Sequence, residues 1–297
     1  MDHQLSAFLQ QAQAALMRLE PLLPALREPI DWDVEIAARW VREGRSGYLN
    51  PVRVHLDLKL DDLHGIDTQR RQMAANTRQF VEGMPANHVL LWGARGTGKS
   101  SLVRALLAEH ARAGLRLIEI ERDHLADLPR VVESLVGFEH RFVLFCDDLS
   151  FESGEGDYRV LKSVLDGSLE RAPDNVLLYA TSNRRHLLPE KESDNENWQH
   201  GSNGELHPSE AVEDKIALSD RFGLWLSFYP FSQEQFLDVV RHWIAIQAEQ
   251  ANLEWAWDES LEKEAIRWAT GRGNRNGRCA YQFARQWVGR TLLERHS

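Results

Sequence analysis

Residues Gly93 to Ser100, GARGTGKS, constrain what this chain can fold into more than any other stretch. They match G-x-x-x-x-G-K-[ST], they follow a short apolar run (Val89, Leu90, Leu91, Trp92), and a helical pattern begins straight after them. Glycine lets the backbone curl around an anion without Cβ clashes. Successive N–H groups and the helix N-terminus can then point at a phosphate. The loop residues Gly93, Ala94, Arg95, Gly96, Thr97, Gly98, Lys99, Ser100 and Ser101 are therefore expected to hold phosphates. Lys99 is expected to reach the β/γ-phosphates and Ser100 to ligate Mg²⁺. The expectation is a nucleotide-binding protein built on an α/β sheet.

Composition narrows the setting. A 43% hydrophobic and 27% charged chain of 297 residues can bury a full core, so disorder is not the default. No apolar run approaches the ~20 residues of a membrane helix, and the N-terminus MDHQLSAFLQQAQ lacks a signal-peptide pattern. Cys146 and Cys279 suit a reduced compartment and offer no metal spacing. The reading is a cytoplasmic protein with no membrane partner. A net charge of −10 argues against non-specific coating of DNA while leaving room for a local basic channel.

Taken in order, residues 4–18 and 31–42 read as helices, the second with Trp32, Ile36 and Trp40 on one face. Residues 52–60 alternate apolar and polar without a break, the pattern of a half-buried strand. Residues 1–60 thus look like an N-terminal accessory unit, 61–230 like the nucleotide-binding domain, and 231–297 like a helical lid. Within the middle part, a helix carries Met73, Thr77, Phe80 and Val81, and Leu115–Ile120 is β-rich. A helix is expected from about 125 to 136. The apolar run Phe142–Cys146 closes on Asp147-Asp148, where one carboxylate can organise Mg²⁺ and its neighbour can activate water. Strand 175–180 closes on Thr181-Ser182-Asn183. An amide there can bond a γ-phosphate, although Asn is common in any strand-end turn. Residues 190–210 read as an acidic, flexible insertion whose His200 and His207 are solvated, and 209–218 as a helix running into Ser219-Asp220-Arg221-Phe222-Gly223. Ser232 and Gln235 form a capping-box pattern with Phe231 and Phe236 as the staple. The arginine-rich link GRGNRNGR (271–278) fits a nucleic-acid patch, a solvated loop or a phosphate sensor equally.

The runs PANHVLLWGARGTGKSSLVRALL, LRLIEIERDHL, FVLFCDDLSFE, LKSVLDGSLE, NVLLYATSNRRHLLPE, LSDRFGLWLSF and GRCAYQF give this order of parts a family. The chain resembles the AAA+ ATPases, and more closely the bacterial family called domain of unknown function 815, over residues 63–290. The resemblance implies a parallel five-stranded sheet flanked by helices, a small C-terminal lid, and ATP with Mg²⁺ as ligands. It assigns Asn183 as the sensor-1 amide, Arg221 as an arginine finger serving a neighbour's ATP, and Arg278 as the sensor-2 arginine, with Arg275 as fallback. Asp148 stands where many relatives have Glu, and Glu152 is the alternative base. The implied activity is ATP hydrolysis, with Lys99, Asp147, Asp148, Asn183, Arg221 and Arg278 as its machinery and Ser100 and Asp147 at the metal. Such a protein would self-assemble through a shared ATP site and remodel a protein client. A nucleic-acid-associated AAA+ protein and a slow ATP-dependent switch are the alternatives. The segment after Ile120, ERDHLADLP, lacks the aromatic–apolar–Gly loop with which ring unfoldases grip a polypeptide.

Overall fold

A computed structural model describes residue 13 and residues 29–44, 46–149, 160–162, 164–165, 173–183, 199–200, 206–207 and 220–296. The chain from Trp32 onward forms one compact unit, and the account below is of that unit. Its strands are β1 (Ala37–Glu43), β2 (Ser46–Pro51), β3 (Val89–Gly93), β4 (Leu115–Glu119), β5 (Arg141–Cys146), β6 (Val176–Ser182), the two-residue pair β7 (Gln199–His200) and β8 (Leu206–His207), and β9 (Leu224–Phe228). Its helices are α1 (Asp67–Val81), α2 (Lys99–His110), α3 (Leu128–Ser134), α4 (Gln233–Gln250), α5 (Glu259–Gly271) and α6 (Gly277–His296).

One sheet of seven strands, ordered β2-β1-β4-β5-β6-β3-β9, runs through the unit. Every pairing is parallel except β1 with β2. Strands buried on both faces need continuous apolar sequence. VLLWG, RFVLFC and VLLYATS supply it, and Val89, Leu90, Leu91, Phe142, Leu144, Leu178 and Ala180 are buried. Tyr179 is one polar exception: its hydroxyl meets Thr77 Oγ1 at 2.9 Å and accepts from Asn76 Nδ2 at 3.3 Å, tying α1 to the sheet.

The expected five strands become seven, because residues 37–51 form a hairpin rather than the tail of a helix over 31–42. Glu43 pairs with Ser46, so the connection is a two-residue loop, and Gly44 takes the positive φ of 60° that such a turn requires. β1 then joins β4 in parallel and adds both strands to that side of the sheet. The strand expected over 52–60 is also absent. Val54, Leu58 and Leu60 still pack against the core while Leu56 is exposed, and after the Val52 N–H bonds the Ala37 carbonyl at 2.9 Å the segment joins no described ladder. The helix expected over 125–136 begins as a 3-10 turn (Arg122–Asp127) and continues as α3. The helices expected over 4–18 and 209–218 lie outside the described residues, Gln13 apart. So does the 190–210 insertion, except for β7 and β8.

The C-terminal helices form as the caps predict. Ser232 and Gln235 exchange hydrogen bonds at 3.1 and 3.0 Å at the start of α4, with Phe231 and Phe236 both buried in the core. Asp258 caps α5 through the Leu261 N–H at 2.8 Å. No described helix is long and apolar enough to cross a membrane.

Candidate nucleotide site

Strand order gathers the chemistry. The tips of β5, β6 and β3 are consecutive neighbours, and Cys146 and Leu90 both align with Ala180. One residue further on, Asp147 therefore stands beside Thr181, although 34 positions separate them. Thr181 Oγ1 donates to Asp147 Oδ1 at 2.5 Å and accepts from the Asp148 N–H at 2.9 Å. A single buried hydroxyl thus holds both acids. Ser100 Oγ donates to the same Asp147 oxygen at 2.7 Å. A serine hydroxyl and a carboxylate converging at a strand tip are the hard oxygen donors that Mg²⁺ prefers, so the donor set fits that ion.

The loop between β3 and α2 is shaped by close approach. A Cβ on Gly93 would run into the Phe228 carbonyl oxygen of β9, so the strand pair leaves no room for a side chain there. Gly98 sits at φ 102°, a left-handed conformation that favours glycine and that starts α2 directly at Lys99. Thr97 braces the loop by donating to the Ala94 carbonyl at 2.8 Å. Lys99 is only 7% exposed; its Nζ donates to the carbonyls of Gly93 and Ala94, both at 2.8 Å, and approaches Asn183 Oδ1 at 3.5 Å. Burial pulls its pKa down, and the charges of Asp147 and Asp148 oppose that shift.

Asn183 also donates through Nδ2 to Asp148 Oδ1, so this strand-tip amide bridges the lysine and the second acid. Asp148 holds a positive φ of 54°, rare for a residue with a side chain, and Arg95 lies 3.4 Å from its other oxygen. A cleft of about 970 Å³ opens over these groups. Lys99, Ser100, Ser101, Asp147, Asp148, Asn183 and Arg278 line it, and so do His64, Trp243 and Tyr281 from flanking segments. Its size is that of a small-molecule site.

The predicted residues divide clearly. Arg95 to Ser101, both aspartates, Asn183 and Arg278 come together at one cleft, while Gly93 and Ala94 do not line it and meet Lys99 Nζ through their carbonyls. Arg275 lies outside it, with its carbonyl accepting from the Phe231 N–H at 2.8 Å. Arg221 is on the turn before β9 and does not line the cleft of its own chain. Glu152 is outside the described residues. Two residues carry a structural role that no motif announced. Thr181 is one. Asn276 is the other: its Oδ1 accepts from the Cys279 N–H at 2.9 Å to cap α6, and its Nδ2 donates to the Arg95 carbonyl at 2.9 Å. Beside it the Arg278 N–H donates to the Gly96 carbonyl at 3.1 Å, so the start of α6 is fastened to the phosphate loop.

A mainly parallel sheet with the phosphate loop at the tip of β3, acids on the next strand but one and described helices after β9 defines the class: this is the α/β fold of the AAA+ P-loop ATPases. Solved structures agree on the fold. Two variants of Thermotoga maritima RuvB align at TM-scores of 0.51 and 0.53 with 16% and 15% identity, covering 77% and 78% of this chain and 64% and 65% of theirs. The Aeropyrum pernix ORC1 protein in complex with DNA aligns at 0.53 with 17% identity, covering 79% of this chain and 62% of that one. The chain thus spans less than two thirds of the length of these proteins. No curated protein sequence matches it. Residues 33–291 match the family model described as protein of unknown function (DUF815), and the chain belongs to that family.

Proposed function

We propose that this protein binds Mg²⁺-ATP, hydrolyses it, and couples the nucleotide state to self-assembly and to the remodelling of a protein client. The observation that carries the reading is the convergence of Lys99, Ser100, Asp147, Thr181, Asp148 and Asn183 within hydrogen-bonding distance at one set of strand tips. Gly93 to Ser101 hold the phosphates, and Lys99 leaves the loop carbonyls for the β/γ-phosphates. Ser100 and Asp147 hold the metal, which when bound neutralises charge on the phosphate oxygens. Asp148 accepts a proton from the attacking water, and Asn183 fixes that carboxylate against the γ-phosphate position. Arg278 reaches the same phosphate from the lid. Arg221 completes the site of a neighbouring copy, a role supported by its place outside its own cleft. Residues 231–297 are assigned to the lid.

Two variants test the reading. Lys99→Ala should lose nucleotide binding, measured with a fluorescent ATP analogue; retained tight binding refutes the assignment. Asp148→Asn should bind ATP without turning it over, and a client captured from the native cytoplasm on that variant but not on Lys99→Ala would identify the partner. Full turnover by Asp148→Asn would move the base to another residue.

A further inference from the structure

A second, smaller cavity of about 230 Å³ lies between the phosphate loop and the segment that enters α6. Four arginines line it: Arg95 from the loop, and Arg272, Arg275 and Arg278 from the lid side. Asn274 and Gln282 add polar groups, and no Asp or Glu is among its described lining residues. Of the four, only Arg95 has a described carboxylate partner, Asp148 at 3.4 Å. Arg272 instead lies over the Trp268 ring, its guanidinium carbon 3.6 Å from the ring centre. Arg272, Arg275 and Arg278, gathered at one concavity with no carboxylate among its described lining residues, repel one another. In a chain of net charge −10 this is a local reversal of sign.

We propose that this cavity is an oxyanion site beside the nucleotide cleft, sharing Arg95, Gly96 and Arg278 with it and adding Arg272 and Arg275, and that it takes a phosphate or polyphosphate group. Guanidinium is the side chain best matched to phosphate, because its planar fork donates two parallel hydrogen bonds. The cavity lies below the ~300 Å³ at which pockets begin to enclose whole small molecules, so a phosphate or pyrophosphate group fits and a nucleoside does not. The N-terminus of α6 is not the source of attraction, since the Arg278 N–H is committed to Gly96 and the Cys279 N–H to Asn276. The positive charge comes from the arginine side chains. A bound anion would join Arg95 of the loop to Arg272 and Arg275 of the lid segment, in parallel with the Asn276 and Arg278 backbone ties. By linkage it would shift nucleotide affinity, and nucleotide would shift anion affinity by the same factor.

The test is a calorimetric titration of the full chain with inorganic pyrophosphate while the nucleotide cleft is saturated with a non-hydrolysable ATP analogue. One further equivalent of pyrophosphate should bind, and Arg272→Gln and Arg275→Gln should each weaken it at least tenfold while melting like the wild type. No binding to the saturated wild type, or undiminished affinity in both variants, overturns the proposal. Should the chain fail to bind the ATP analogue, the same titration on the nucleotide-free chain still reads dependence on Arg272, so failure of the ATPase reading and failure of this site are separable. A labelled single-stranded 12-mer identifies the source of the phosphate. Displacement of the 12-mer by pyrophosphate assigns the site to a nucleic-acid backbone, and a 12-mer that does not bind assigns it to free polyphosphate.

Discussion

Thr181→Val is the most informative single change at the nucleotide cleft. Valine keeps the shape of threonine, and position 181 is only 2% exposed, so packing is preserved while the hydroxyl is removed. Two hydrogen bonds go with it, the 2.5 Å donation to Asp147 and the 2.9 Å acceptance from the Asp148 N–H. A hydrogen bond to a charged group contributes about 1.5–3 kcal/mol. Asp147 is exposed, so the lower end applies, and the amide left without its partner adds part of a further ~1 kcal/mol. A total of about 2 kcal/mol corresponds to roughly 30-fold in an equilibrium constant, inside the 10–100-fold range for groups that orient metal ligands. ATPase rate against Mg²⁺ concentration at saturating ATP reads the effect. The expected outcome is a Mg²⁺ midpoint raised about 30-fold, with metal-independent nucleotide binding unchanged and Thr181→Ser restored towards wild type. A valine variant within twofold of wild type, or a serine variant as impaired as valine, refutes the positioning role of the hydroxyl.

Three further perturbations probe other parts of the chain. Arg221→Ala should retain ATP binding and lose about 10³-fold in turnover, and wild-type activity per subunit should rise with protein concentration; a flat concentration dependence argues against a shared site. Tyr179→Phe should cost about 1–2 kcal/mol in denaturant unfolding, because Thr77 and Asn76 lose a buried partner. His88 accepts the Leu178 N–H through Nδ1 at 2.9 Å, and burial pushes its pKa down from 6.5 to about 4. Between those values the unfolded chain holds a proton that the folded chain refuses. Its contribution is therefore intact above pH 6.5 and falls as the pH drops towards 4, by at most about 3 kcal/mol. Unfolding of His88→Asn at pH 7 and pH 4.5 should show a shallower decline than wild type; an equal decline assigns the acid sensitivity elsewhere.

What could be read from the sequence depended on whether a pattern had one physical solution. Gly93 to Ser100 had one: the glycines, the preceding apolar run and the following helix all require the same turn, and β3, the loop and α2 form as expected. Trp32, Ile36 and Trp40 had two. Their spacing of four suits a helix face, but Trp40 equally fits one face of a strand, and the strand that forms starts at Ala37, after Trp32 and Ile36. What decided between them was Gly44, which closes a two-residue hairpin, and the open edge of β4, which only the tertiary structure reveals. Residues 52–60 show the converse. Their alternation marks Val54, Leu58 and Leu60 as packing inward but fails at Leu56, which is exposed, and a strand needs a neighbour as well as a pattern.

The same distinction separates the legible half of the cleft from the rest. Lys99, Ser100, Asp147 and Asp148 have chemistry of their own, so motif and spacing exposed them. Thr181 and Asn276 act only through others, one by holding the Asp147 carboxylate and the Asp148 backbone amide and the other by fastening the start of α6 to the Arg95 carbonyl. Nothing in residue type marks such a group, because its significance is the partner that strand order supplies. The register offers the one signal that was available. Once β5 and β6 are aligned at Cys146 and Ala180, the residue after each must meet the other across the strand tips, and only a side chain with both a donor and an acceptor can serve Asp147 and the Asp148 amide together. Threonine at position 181 meets that requirement, and this is why its loss should be felt at the metal rather than in the core.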